Sequence, residues 1–334
     1  DLNNPNRIVR DGDKFGYNYD FNIKKGSVWL QGVFKFRKID VFVATEHSYT
    51  SFFRKGNVKS GLFPNNSYGK SETQNFYNSG IKGGLTYKIN GRNYIFANGS
   101  YASRAPFFEN AFIAPRTRDI VQDNLKSEEI LSVEGGYVMN APRVKIRATG
   151  YYTTFKNQLN VLTFYDDEFR NFVNYAISNI GKVHMGLEFG VEAKIYKGLS
   201  VTGAAAIGQY TYNTRQNATV TIDNSSAIVD KDVTVYSKDF YVPTPQQAYT
   251  IGLDYRSPKF WFLNVNFNYF DKMYLSYNPI RRTAAAVSGV PEGSDKWHQI
   301  VDQTKLDNQY TLDAFAGYSW LMNRKFKSLK KRHF

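Results

Sequence analysis

The chain has 334 residues, no cysteine and a formal net charge of +14, from 43 Lys and Arg against 29 Asp and Glu. The missing thiols remove disulfide and thiolate chemistry, and a mean hydropathy of −0.48 without any run of roughly 18 apolar residues removes helical membrane spans. Aromatic residues make up 16%, with 25 Tyr and 26 Phe, and the length suits either several ordinary domains or one large β-architecture.

Such a charge excess admits nucleic acid, an anionic membrane surface or acidic ligands. The basic residues are read as dispersed over polar strand faces and turns. Neither a basic helix nor an RNA-binding aromatic signature is present, so nucleic acid is not an expected partner. The run Arg324, Lys325, Lys327, Lys330, Lys331, Arg332 reads as a solvated turn.

Period-two runs bounded by Gly, Pro, Asn and charged turns predict about a dozen strands arranged in hairpins. Tyr17 to Ile23 is expected to meet Val28 to Phe36 through a turn at Lys24, Lys25 and Gly26, and a corner at Arg37-Lys38 leads into Ile39 to Thr45. Phe76 to Ile89 reverses at Asn90-Gly91, a strong hairpin signal, into Asn93 to Tyr101. Leu131 to Met139 turns at Asn140-Ala141-Pro142 into Val144 to Phe155, and Lys182 to Ile195 turns at Tyr196-Lys197-Gly198 into Val201 to Tyr212. Gln247 to Arg256 turns at Ser257-Pro258 into Phe260 to Phe270, and Tyr310 to Trp320 is the last strand.

The alternation within these runs carries the fold class. Trp261, Leu263, Val265, Phe267 and Tyr269 share one face against Asn264, Asn266 and Asn268. Val183, Met185, Leu187, Phe189, Val191, Ala193 and Ile195 likewise oppose His184, Glu188, Glu192 and Lys194. Charges repeated along one face need water, so the apolar face meets lipid and the polar face a wet lumen, as in an outer-membrane β-barrel. Tight turns near residues 37, 90, 141, 197 and 258 interleave with long loops at about 52 to 74, 103 to 126, 156 to 178, 213 to 245 and 272 to 305. The short loop of the first hairpin is the exception. The chain opens at Asp1 without Met or leader, and Phe334 follows Lys331-Arg332-His333 rather than an alternating strand. We therefore expect one barrel region over 1–334, an all-β antiparallel transmembrane fragment of about twelve strands from a larger barrel, because strands well beyond the roughly 9 to 11 residues that span a bilayer imply walls protruding above the membrane.

Arg104-Ala-Pro with Phe107-Phe108-Glu109-Asn110 resembles the TonB-dependent outer-membrane receptors, in particular the Bacteroidetes-type barrels. Asn124-Leu125-Lys126-Ser127-Glu128, Val133-Glu134-Gly135-Gly136-Tyr137, Thr149-Gly150-Tyr151-Tyr152-Thr153-Thr154 and the stretch from Asn179 through Gly181 and Gly186 to Glu188 continue the match in order. The resemblance implies a plugged barrel of 22 strands in the bacterial outer membrane, crossing it many times and importing a scarce ligand. It also implies outer-membrane lipid, the TonB complex acting through a plug not contained in this stretch, and a surface lipoprotein as partners. An iron chelate, a glycan, a peptide and cobalamin all suit such barrels.

Catalysis finds no support. His47, His184, His298 and His333 lack paired ligand spacing, and no nucleophile elbow or P-loop is present, so neither cofactor nor metal is expected. The cluster Asp166-Asp167-Glu168 reads as an exposed loop tip, with loose cation spacing. Phe164, Tyr165, Tyr175, Tyr210, Tyr212, Phe240 and Tyr241 are the binding candidates, as exposed loop rings that offer stacking area at low entropy cost. Tyr210 and Tyr212 suit an interface girdle equally well. Lys82, Glu134, Lys145, Arg147, Glu188, Glu192, Asp254 and Asp313 are expected to face the lumen, either guiding a solute or pairing across strands. The sequons at Asn65, Asn98, Asn217 and Asn224 carry weight only in a eukaryotic host. Two other readings stay open: a self-contained passive porin or adhesin barrel, and a soluble glycan-binding β-protein with its apolar stripe packed inside.

Overall fold

The computed structural model describes residues 1–123, 125–167, 169–223, 225 and 227–320. The basic run from Arg324, together with His333, Asn124, Glu168 and Asn224, lies outside the described residues. The fold is all-β and antiparallel. In chain order the strands are β1 (Tyr19–Lys35), β2 (Ile39–Gly56), β3 (Gly69–Lys70), β4 (Gln74–Lys88), β5 (Asn93–Arg104), β6 (Glu128–Asn140), β7 (Val144–Asp166) and β8 (Asn171–Tyr196). They continue as β9 (Leu199–Tyr212), β10 (Gln216–Ile222), β11 (Ile228–Val235), β12 (Gln247–Arg256), β13 (Trp261–Asp271), β14 (Met273–Tyr274), β15 (Lys305–Leu306) and β16 (Gln309–Tyr318). Two short helices, α1 (Phe108–Ala111) and α2 (Asp295–Val301), sit in the connections. Among the described residues no helix is long and apolar enough to cross a membrane.

One sheet runs β1-β2-β4-β5-β6-β7-β8-β9-β12-β13-β16, each strand beside its neighbour in the chain's up-and-down path, with β10 and β11 added beside the upper part of β8. β1 and β16 form the two ends of this path and do not pair with each other. Residues 36–38, 89–92, 141–143, 197–198 and 257–260 make the short turns, all at one end of the sheet. Gly198 shows why such a turn is chemically particular: its φ is +78°, and a Cβ there would lie 2.2 Å from the Arg256 carbonyl oxygen.

Register divides the residues between two faces. Asn264, Asn266 and Asn268 pair with Phe315, Asp313 and Thr311, while Leu263, Val265 and Phe267 pair with Ala316, Ala314 and Leu312. The apolar set stays uncovered by protein, with Leu312 at 69% and Tyr77 at 83% exposure. From Tyr77 to Tyr87 the outward side chains are Tyr, Ser, Ile, Gly, Leu and Tyr. At about 3.4 Å per residue and a tilt near 40°, this stretch rises about 26 Å, matching the roughly 25 Å apolar band of outer-membrane barrels with aromatics at both edges.

The expected first hairpin is absent. β1 runs straight through Lys24, Lys25 and Gly26, which pair with Ser51, Thr50 and Tyr49. Gly26 is not among the residues with positive φ. The upper half of β2 supplies a partner for every one of these residues, so local turn chemistry yields to the ladder. With this correction every short connection falls at the same end and the expected exception disappears. The loop expected at 156 to 178 is also mostly strand. β7 has 23 residues and β8 has 26, and they meet at residues 167–170 beyond register shifts around Gln158. The loop expected at 213 to 245 contains β10 and β11.

At the other end the long connections fold back on the sheet. Residues 105–127 cover the polar face, where Phe112, fully buried, packs on Phe21 and Phe52, and Phe108 lies 4.6 Å from Phe21. Arg54 fastens this layer. Its side chain donates from Nε to the Pro115 carbonyl at 2.6 Å and from Nη1 to the Ser67 carbonyl at 3.0 Å, with the guanidinium 5.1 Å from the centre of the Tyr19 ring.

Two predictions follow from these faces. Leu253→Arg, placed between Val201 and Val265 on the apolar face, should destabilise the folded protein by about 2–4 kcal/mol in a bilayer. Thr202→Arg on the polar face should cost less than about 1 kcal/mol, both read by urea titration in lipid vesicles. Arg54→Met leaves two carbonyls without their donor, so trypsin should cut at Arg116 or Arg118 in the variant while heat-modifiable migration of the barrel is retained.

Candidate functional site

The polar face is lined by all eight expected lumen residues, as the register shows for Lys82 opposite Ala44 and Ser100, and for Glu188 opposite Thr149 and Ala206. Most are held by neighbours. Lys145 reaches Glu192 at 3.1 Å, and Asp254 receives Arg256 at 3.3 Å. Glu134 accepts from Asn98 Nδ2 at 2.7 Å, Arg147 donates to Thr149 Oγ1 at 3.2 Å, and Asp313 accepts from Asn268 and Thr311. Such cross-strand pairs stabilise the wall at modest value each. Arg104 and Glu128, which pair at 2.7 Å across β5 and β6, tie together the start and end of connection 105–127.

The aromatic candidates occupy two kinds of place. Tyr175 is 7% exposed, in a core with Val173, Ile177, Ile180, Ala218 and Tyr277, against which Phe164, Tyr212 and Phe240 pack. The expectation of exposed loop rings is therefore corrected for these four: Phe164 and Tyr175 lie on β7 and β8, and their rings stabilise the raised hairpins by mutual contact. Tyr210, on β9, shares a 2.5 Å hydrogen bond with Tyr151 and lies 4.8 Å from the His184 ring. Tyr241 stacks on Tyr274 at 4.2 Å, and its backbone N–H donates to Gln303. Tyr165 keeps an outward ring at the tip of the β7–β8 hairpin, edge-on to Phe172. Asp166 is buried there and accepts from the Phe169 backbone N–H.

Where connection 105–127 faces β7, β8 and β10 a polar cleft of about 370 Å³ opens. Gln122, Lys126, Asn157, Asn179, Asn217 and Asp232 are among its walls. Asn157, Asn179 and Asp232 have φ of 58°, 55° and 57°, a left-handed conformation that Asn and Asp tolerate best. Sequence reading placed Asn157 and Asp232 in loops and named Asn179 only as the start of a family-like stretch, so none was a binding candidate. The signal available was the occurrence of Asn and Asp at breaks in apolar runs.

A smaller recess of about 180 Å³ lies nearby, among Tyr19, Glu109, Arg116, Thr163, Asn174 and Asp223. Arg116 pairs with Asp223, which also accepts from Asn174 Nδ2 at 3.0 Å, and Thr163 donates to Asn174 at 2.6 Å. Burial pushes the Asp119 carboxyl above its usual range against the opposing pull of its backbone hydrogen bond and Arg54, and burial lowers Arg54 itself. Burial also raises Tyr277 and lowers Arg282. Arg282 donates to the carbonyls of Val301 and Asp302, and Tyr277 donates to Gln216. Amides, hydroxyls and paired charges arranged this way present hydrogen-bond donors and acceptors together. No group of three His, Cys, Asp or Glu able to hold a metal occurs among the described residues.

A family model described as TonB dependent receptor-like, beta-barrel, matches residues 1–329. Among solved structures the chain is similar to the copper transporter OprC, with 14% identity and a TM-score of 0.64, covering 91% of this chain and 41% of that one. It is also similar to the siderophore receptor PiuA from Acinetobacter baumannii, at 13% identity and a TM-score of 0.59, covering 90% and 37%. The closed form of the ferric-catecholate import receptor Fiu from K12 E. coli gives 14% and 0.57, covering 91% and 39%. The chain thus spans about two-fifths of the length of these structures. No curated protein matches it. At these identities the structures speak for the fold alone, but the family model extends over nearly the whole sequence, and the chain belongs to the TonB dependent receptor-like β-barrel family.

Proposed function

We propose that this chain is the barrel part of an outer-membrane receptor that captures a scarce polar ligand at its long-loop end and admits it to the periplasm under TonB control. One observation carries the reading: the long connections build an ordered mouth over the polar face, with an amide-rich cleft in it. A wall whose other face is apolar and uncovered suits lipid. The soluble reading needs that stripe packed inside, whereas among the described residues it is uncovered.

In this account the wall supplies a rigid lined passage. The mouth supplies selectivity through Asn157, Asn179, Asn217 and Asp232, with Tyr165 as an accessible ring above it. The plug, TonB and a surface lipoprotein act as partners of the whole receptor. The motif series between Arg104 and Glu188 supports a Bacteroidetes-type receptor: its segments fall on the end of β5, on α1 and along β6, β7 and β8. The ligand is drawn from iron chelates, glycans, peptides and cobalamin, and the amide-rich cleft favours one rich in hydroxyl or carboxylate oxygens. No residue in the mouth is assigned bond chemistry.

Radiolabelled members of these four classes, offered to the host strain, test the reading. Uptake of one class should fall at least about tenfold on deleting the receptor, and equally on deleting TonB. Uptake that needs the receptor but survives loss of TonB would establish a passive pore instead. In the full receptor Asn217→Leu should raise the half-saturating concentration about tenfold and leave the maximal rate unchanged, because it removes a ground-state contact worth about 1.4 kcal/mol.

A further inference from the structure

The short-turn end carries a rim of unpaired cations. Arg37 and Lys38, Arg92, Arg143, Lys197 and Lys259 occupy the five short turns, so that no turn lacks one. All six are exposed, and none uses its own side chain in an ion pair, hydrogen bond or ring contact among the described residues. Carboxylates on the strands that these turns join are engaged elsewhere: Asp40 by Lys88 at 2.6 Å, Glu192 by Lys145 at 3.1 Å and Asp254 by Arg256 at 3.3 Å. Connections at the opposite end are close to balanced, as in 105–127, where Arg116, Arg118 and Lys126 meet Glu109, Asp119 and Asp123. Six of the basic residues expected to be dispersed are therefore brought to one rim by the hairpin topology.

Apolar side chains interleave with these cations. Phe36, Ile89, Tyr196 and Phe260 sit in or beside the same turns, with Tyr196 at 74% exposure and Phe260 at 56%. Phe260 holds this position with φ of 66°, a left-handed backbone that is costly for a bulky side chain. A cation beside an uncovered ring at the edge of an apolar band matches a lipid interface, where rings lie at headgroup level and long basic chains reach phosphates. A water-soluble acidic partner gives no reason for the uncovered rings.

We infer that the short-turn rim binds the phosphates of anionic phospholipids in the leaflet it touches. The inference rests on the reading above that the apolar face meets lipid. Each basic residue near an anionic surface strengthens binding about fivefold, and salt weakens the effect over a Debye length.

The test uses the full receptor, purified in detergent and offered equal phosphatidylglycerol and phosphatidylethanolamine, with retained lipid counted by native mass spectrometry. At about 0.1 M salt the natural protein should retain phosphatidylglycerol at least about fivefold over phosphatidylethanolamine, and at about 1 M the preference should vanish. Converting the six rim cations to Gln should abolish the preference, whereas converting Lys59, Arg170, Lys238, Lys272, Lys296 and Lys305 at the other end should leave it intact. If the sixfold variant does not assemble, the variant carrying R37Q, K38Q and R92Q alone should show a clearly reduced preference. An undiminished preference in either rim variant overturns the inference. So does its absence in the natural protein, including the case where polyglutamate binds the rim and lipid does not. A natural protein that stays soluble without detergent instead sinks the membrane reading itself, which separates the two failures.

Discussion

A single-layer sheet must satisfy two solvents at once, and that constraint governs the rest of this molecule. Its backbone groups pair only between neighbouring strands, so the ladder supplies continuity but no core. The apolar face, with Leu312 and Ile251 uncovered, has no protein over it, and under the proposed function lipid would stabilise it by about 25 cal/mol per Å² of apolar surface removed from water. The polar face, with Glu188, Arg147 and Asp313, has to stay wet or be met by polar protein. The larger protein-on-protein packing lies where the wall rises past the apolar band. Both hydrophobic clusters, around Phe52 and Phe112 and around Val173 and Ile177, are found there. The mouth is therefore the part of the chain that resembles an ordinary folded domain, and the cleft forms where its two clusters come side by side.

That division explains what was legible in the sequence. Within the apolar band a one-residue slip would exchange lipid-facing and wet side chains, so alternation and register agree closely. Asn90-Gly91, the Pro142 turn and the Tyr196 to Gly198 turn all stand where the residues imply. Above the band the period-two signal fades because both sides of the raised strands are covered: Val173, Asn174, Tyr175, Ala176 and Ile177 are buried in succession. A run buried on both faces does not alternate, and it reads as a loop when Asn and Asp interrupt it. Lys24-Lys25-Gly26 misleads in the opposite way. Its local turn chemistry is real, but the neighbouring strand offers a full ladder, and the long-range pairing decides.

The same division accounts for the aromatic residues. Choosing rings as binding candidates assumes that a loop ring is exposed, yet Phe164, Tyr175, Tyr212 and Phe240 are needed to give the raised hairpins a core. The proposed recognition surface then consists of the amides and carboxylates around that core. Their usefulness depends on geometry that single-residue reading does not reach: Gln122 comes from one connection, Asn157 and Asn179 from the shoulders of β7 and β8, and Asn217 from β10.

The mouth is also strapped across its parts. Arg116 joins connection 105–127 to Asp223 beyond β10, Gln303 joins Tyr241 to the last long connection, and Arg282 holds the carbonyls of Val301 and Asp302. The buried Arg282 guanidinium has its donors committed to those carbonyl oxygens, with the Asp302 carboxylate acting on it as well, so the strap resists rearrangement. Ordering of the site is completed on folding, which lowers the entropic cost of taking up a ligand. Under the proposed function such a mouth would serve capture, and any motion needed for passage would arise at the polar face below it. There the wall offers Lys82 and Glu188 without side-chain hydrogen-bond or ion-pair partners among the described residues, and such groups are free to meet a moving polar surface within the lumen.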